Sequence, residues 1–280
     1  MRALQDNIQF IATDLDHPEG INFGVDGMLY AGGEAGQLYR IDPVSGHVDH
    51  YATAEGFLML GVTLDGDNNL YGCHVGRREI VKVSPDGEVT TYSKGVRGRE
   101  LINPNYGVFD NEGNFYYTDS GDYFKPSGLI LVVRPDGTTE VFHEGPLSFP
   151  NGLAIDAQGK FLYVVLSSAP NISRIPLQGG STNVKPEVYL PLEGVVPDGL
   201  AFDDRDRLLI SCYVPDRIYL ADTDGKIEIL MEDPTAELMN RPTNVAIRDN
   251  KVYYANLGGW HVGAFDFDAG PMPLRYPQLR

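Results

Sequence analysis

One unit recurs six times along this chain and fixes most of what it can fold into. Aligned on a shared Gly, the copies fall at Gly20, Gly61, Gly107, Gly152 and Gly199, and at Asn244 where the Gly is replaced. Successive spacings are therefore 41, 46, 45, 47 and 45 residues. Each Gly opens an apolar strand, and after a turn comes a second strand rich in Tyr, Leu and Val: MLYAGG, NLYGCH, NFYYTD, FLYVVL, RLLISC and KVYYAN. A third strand and usually a fourth follow. Four short strands every ~45 residues is the period of a β-propeller blade. Solenoid repeats are shorter or helical, and no strong 3.6-residue apolar period runs through the chain. The expected fold is all-β: a six-bladed β-propeller with four antiparallel strands per blade, residues 1–280 forming a single domain. The segment NIQFIATDL has no blade of its own. It is expected to close the ring as the outer strand of the last blade.

Turn residues give the ring two unlike faces. VDG, LDGDN, DNEG and DAQG follow first strands, and SPDG, RPDG and DTDG follow third strands. Asp-Gly suits the positive φ of a hairpin turn. Because strands alternate in direction, all these turns share one face, the bottom. The longer loops CHVGRRE, TDSGDYFKPSG, SSAPN, CYVPDR and NLGGWHV gather on the other, the top. Function concentrates on loops carried by a rigid scaffold.

Charge narrows the partners. The net charge of −17 disfavours nucleic acid and anionic membrane, because repulsion opposes each encounter, and it suits cations. No window approaches ~18 apolar residues, so no membrane span is expected. The start MRALQDNIQF lacks the apolar stretch of a secretory signal, which points to a cytoplasmic protein. Cys73 and Cys212 fall in opposite blades, too far apart to bridge, and are expected to be reduced.

The residue before each shared Gly is where the copies differ in chemistry. Blade by blade it is Glu19, Leu60, Tyr106, Asn151, Asp198 and Thr243, and Asn105 precedes Tyr106. Inner strands converge on the axis, so these side chains point at a common volume. Two carboxylates packed together repel, and burial penalises both unless a cation sits among them. Glu19, Asn105, Asn151 and Asp198 offer only oxygen. Such a shell suits Ca²⁺ best, with Mg²⁺ or Mn²⁺ next, whereas Zn²⁺ more often comes with His or Cys. Asn or Asp after Pro also starts strands by capping turns. A turn former would recur in all six copies, and Leu60 and Thr243 break that pattern.

With those residues in view, HPEG, NPNYGVFDNEGNFYYTD, FPNGLAID and VPDGLAFD resemble the senescence marker protein/gluconolactonase (regucalcin-like) family of six-bladed propellers. The likeness runs over nearly the whole chain. It implies one divalent metal held by Glu19, Asn151 and Asp198, with Asn105 near metal or substrate, and hydrolysis of sugar-type lactones. Many members carry Asp where this chain has Tyr106, and often an Arg where it has Asn103. Arg99 on the same loop is the candidate substitute. A cation polarises a lactone carbonyl and stabilises the oxyanion that follows. Asp198 is the candidate general base, with hydroxide generated at the cation as the alternative.

Further substrate-binding candidates on the top face are His74, Asp122 on the long blade-3 loop, and Trp260 with His261 in blade 6. For both histidines a structural role is the competing reading. Tyr106 and Phe149 are candidates for an apolar wall. Besides a lactone hydrolase, the residues allow a phosphotriester hydrolase of the di-isopropyl fluorophosphatase type, or a calcium-binding propeller without catalysis. The partner is expected to be a small-molecule lactone or ester, and the protein a monomer or dimer.

Overall fold

The computed structural model describes residues 7–178 and 184–279. Its strands form six four-stranded antiparallel sheets, each a blade of a β-propeller. No α-helix occurs among the described residues. The inner strands of the six blades are Ile21–Phe23, Met59–Leu64, Pro104–Phe109, Pro150–Ile155, Val196–Phe202 and Pro242–Arg248. The N-terminal strand Gln9–Ala12 pairs with Val262–Asp266 and completes the sixth blade, so the ring is closed as expected. Buried Tyr, Leu, Ile and Val fill the spaces between neighbouring blades; one such cluster joins Ile21, Phe23 and Leu29 of blade 1 to Tyr253 and Ala255 of blade 6. Cys73 and Cys212 are buried and unbridged.

The bottom turns behave as their residues require. Gly27, Gly87, Gly113, Gly137, Gly159 and Gly225 all have positive φ. In LDGDN the left-handed position falls instead on Asn68, at φ 58°. The preceding Asp accepts backbone hydrogen bonds across the turn, as Asp110 does from Glu112 and Asn114, each at 2.9 Å.

The shared Gly has a different cause. At Gly20 an added Cβ would lie 2.1 Å from the Leu60 carbonyl oxygen of the next blade, and at Gly152 2.5 Å from that of Asp198. Inner strands therefore touch backbone to backbone. Hydroxyls on the top edge lock the same contact. Thr118 Oγ1 donates to the Asn151 carbonyl (3.0 Å), Ser120 Oγ to Pro150 (2.7 Å) and Ser167 Oγ to Pro197 (2.7 Å). Thr243 Oγ1 and Asn244 Nδ2 both donate to the Glu19 carbonyl, at 2.7 and 2.9 Å, and join the last blade to the first.

The last described residues cross the bottom of the channel. Met272 N donates to Phe202 O (3.1 Å), Arg275 Nη1 to Ile155 O (3.2 Å), Tyr276 Oη to Phe23 O (2.8 Å) and Gly66 N to Pro277 O (2.9 Å). This strap touches four blades. Between it and the inner strands lies a cavity of about 110 Å³, walled by Tyr106, Leu153, Leu200 and Val245 above Met272 and Arg275.

Gly152→Ala is expected to lower unfolding free energy by about 2–3 kcal/mol, because the backbone oxygen it meets cannot move aside. Urea denaturation of the variant beside Gly159→Ala, whose Cβ would meet nothing within 4 Å, checks it after allowance for the positive φ at Gly159.

Candidate functional site

At the top of the inner strand the ladder slips in five blades, in blade 2 between Met59 and Val62, whereas the blade-1 strand Ile21–Phe23 keeps its register. Register shifts fall between Pro104 and Gly107, Pro150 and Leu153, Pro197 and Leu200, and Pro242 and Val245. A bulge re-aims the side chain at its corner. The approach to the strand is also unusual. His17, Leu58, Phe149 and Arg241 each stand two residues ahead of the variable position and have φ of 44°, 65°, 54° and 65°. Non-Gly residues hold such conformations only where their surroundings force them, often at functional sites.

The bulges bring blades 4 and 5 into direct contact. Asn151 Nδ2 donates to Asp198 Oδ2 at 3.0 Å and to Ser167 Oγ at 3.3 Å. That leaves Asn151 Oδ1 and Asp198 Oδ1, both buried, without a hydrogen-bond partner. Unpartnered buried oxygens are costly and rare. Glu19 is buried close enough to Asp198 for their charges to interact. Burial, and then the Asp198 charge, hold the Glu19 carboxyl well above its usual range. Burial likewise pushes Asp198 up to about 7, against the lowering effect of the Asn151 hydrogen bond. The protein has gathered two carboxylates and an amide oxygen and given them too few donors. A divalent cation would supply the missing positive partner, and an all-oxygen donor set fits a hard ion. Asn105 is buried at the top of the blade-3 inner strand.

The remaining candidates scatter. Tyr106 is buried; its ring lies over Gly61 and lines the cavity lower in the channel. Phe149 instead packs its ring against Tyr123, centroids 5.0 Å apart. His74 is clamped: Nε2 donates to Ala54 O at 2.8 Å and Nδ1 accepts from Arg77 N at 3.3 Å. Both ring nitrogens are thereby bonded to the backbone. His261 packs on Phe10 and bonds Leu238 O at 2.9 Å. Arg99 pairs with Glu144 at 3.1 Å on the surface. Asp122 accepts from Phe124 N at 2.9 Å and pairs with Lys125 at 3.4 Å, shaping its own loop.

Two features escaped the sequence reading. Tyr213, on the second strand of blade 5, lies near Tyr123 and within reach of the Asp198 and Glu19 charges; burial above all raises its phenol pKa. The other is a network at the mouth. Trp260 Nε1 donates to His17 Nε2 at 2.9 Å, and His17 Nδ1 faces Glu34 Oε2 at 2.9 Å and Asp16 Oδ1 at 3.1 Å. Asp16, His17 and Glu34 hold ligand atoms within 4.8 Å of one another. Every nitrogen of that ring already has a protein partner. Trp260 was a candidate from the sequence, but its partner His17 was not.

The pattern of the SMP-30/gluconolactonase/LRE-like region matches residues 18–255. The chain belongs to this family. It is 26% identical over 222 residues to lactonase drp35 of Staphylococcus epidermidis, a match covering 74% of this chain and 66% of that protein. The chain thus spans just under two thirds of that relative's length. Among solved structures, a gluconolactonase from Xanthomonas campestris superposes with a TM-score of 0.80 at 19% identity, covering 93% of this chain and 89% of that one. Regucalcin from Agrobacterium tumefaciens, a calcium-binding protein, gives 0.79 at 16% identity, covering 97% and 96%. At such identities the likeness speaks for the fold.

The raised carboxyl pKa values set a pH dependence. Both groups are more easily ionised in the unfolded chain, so their neutral forms favour folding. The stability these two groups contribute is full below about pH 4 and is lost as pH rises through about 7 for Asp198, and beyond for Glu19. The chelated protein should therefore melt about 5–10 °C lower at pH 8 than at pH 5, with Ca²⁺ restoring the loss. Asp198→Asn should shrink that difference by half or more. Differential scanning calorimetry across this range checks both.

Proposed function

We propose that this protein is a divalent-cation-dependent hydrolase of lactones. The observation that carries the reading is the pair of unpartnered oxygens on Asn151 and Asp198 beside buried Glu19. Names borne by relatives, lactonase drp35 and gluconolactonase, support the substrate class. Glu19, Asn151 and Asp198 would hold the cation, with Asn105 beside it, and Ca²⁺ suits the donors best. Once bound, the cation supplies electrophilic activation of the ring carbonyl and a counter-charge for the oxyanion.

The rest falls to the chain's own side chains. Water attacks the ring carbonyl, and the Asp198 carboxylate takes its proton. The ring C–O bond then breaks, and the proton passes to the departing alkoxide oxygen. The product is the open hydroxy acid, and atoms balance with one water consumed. Asn151 holds the Asp198 carboxylate in place, and Ser167 steadies Asn151.

Chelation should abolish hydrolysis of a lactone panel. Re-supply with Ca²⁺, Mg²⁺, Mn²⁺ or Zn²⁺ in turn should restore it, Ca²⁺ most fully. Asp198→Asn should lower kcat/KM by about 10³-fold or more with folding retained. A chelated protein as active as the loaded one, or an Asp198→Asn variant within tenfold of the parent, would sink the proposal. Stabilisation by Ca²⁺ without hydrolysis of any lactone would point to a binding protein.

A further inference from the structure

The mouth of the channel carries aromatic side chains in an arrangement that a polyhydroxylated substrate does not require. Phe149 stands two residues ahead of Asn151 with φ 54°, a left-handed conformation disfavoured for a bulky residue. Ser167 N donates to the Phe149 carbonyl at 3.1 Å and helps hold that backbone in place. The Phe149 ring meets Tyr123 edge-on, centroids 5.0 Å apart at 68°. Tyr123 in turn meets Phe124 at 5.5 Å and 80°. Tyr213 lies near Tyr123, and feels the charges of Asp198 and Glu19. The wall thus runs from beside the carboxylate pair outward to Phe124, which is 93% exposed.

Tyr123, Phe149 and Tyr213 are only half-buried, so the wall keeps apolar surface free. Elsewhere on the top face Phe57, Ile102, Leu257 and Trp260 are exposed on loops, and Val214 is exposed at the end of the strand that carries Tyr213. Polar groups for sugar hydroxyls are scarce at the wall: Asp122 is occupied with Phe124 N and Lys125. On the blade-3 side, position 106 is a buried Tyr.

Resting on the lactone hydrolase reading, we propose that Tyr123, Phe149 and Tyr213, extended by Phe124, form a subsite for a hydrocarbon or aromatic substituent of the lactone. The preferred substrates are then lactones bearing an apolar side chain, with the ring carbonyl over Asn151 and Asp198 and the substituent along the wall. Sugar lactones are poor substrates, because their hydroxyls would lose water against aromatic faces without gaining partners.

The test compares γ-butyrolactone, γ-hexalactone and γ-nonalactone with glucono-δ-lactone on the Ca²⁺-loaded protein. We expect kcat/KM to rise about two- to fourfold per added methylene until the wall is covered, and glucono-δ-lactone to rank last. Phe149→Gly removes the ring while adopting φ 54° freely, so the fold should survive. It should cut the nonalactone-to-butyrolactone ratio at least fivefold, and Phe124→Ser should cut it less. Binding of the matching γ-lactams, which resist hydrolysis, gives a readout independent of turnover: calorimetry should show affinity rising with chain length. A preference for glucono-δ-lactone, or no chain-length dependence in either series, would overturn the subsite while leaving the lactonase reading intact. Chain-length-dependent lactam binding without hydrolysis of any lactone would keep the subsite and remove the lactonase reading.

Discussion

At four of the junctions between inner strands around the axis there is no room for a Cβ. That contact is the constraint on which the rest of the structure depends. It demands Gly20, Gly61, Gly152 and Gly199, whose added Cβ atoms would lie 2.1–2.7 Å from a neighbouring backbone oxygen. It also puts each blade's top edge within reach of the next blade's hydroxyls, which Thr118, Ser120, Ser167 and Thr243 use. With the backbone so fixed, the side chain just before the Gly has little freedom, and at Asn151 and Asp198 a bulge re-aims it. Glu19, Asn151 and Asp198 are buried near one another because their backbones are pinned first. The energetic strain between the two carboxylates follows from that geometry, and a cation is the chemically natural remedy.

The fold was legible because its signal is periodic. A spacing near 45 residues, Asp-Gly turns and an orphan N-terminal strand are local features, and each survives without knowledge of the neighbours. The variable position was legible for a related reason: a repeat makes a departure from itself visible. Much else was hidden. Thr118, Ser167 and Ser211 look like ordinary strand residues until a neighbouring blade's carbonyl arrives 32 or more positions on in the sequence at Thr243, or 30 at Pro197. Trp260 and His17 are 243 positions apart, and no pattern in either segment anticipates their hydrogen bond. His74 and His261 suggested chemistry by residue type, but loop packing has bound both ring nitrogens of His74 and Nε2 of His261. Residue type identifies what a side chain is able to do, and only the surroundings show whether a free atom remains to do it.

A propeller's channel has two ends, and function at one end requires something to be done about the other. Here the closing segment runs under the channel, where Met272 and Arg275 face Leu153 and Leu200 across a cavity of about 110 Å³. Burial lowers the Arg275 pKa, and its guanidinium is anchored on the Ile155 and Asp156 carbonyls. Nothing in the turn pattern foretold this strap, because its partners are backbone groups on four different blades. Its consequence reaches the site. With the bottom covered, the top is the way in to Glu19, Asn151 and Asp198. On the proposed function, the buried carboxylates would decide which bond is broken, and the aromatic wall of Phe149 and Tyr213 would decide which molecule is held in place while it breaks.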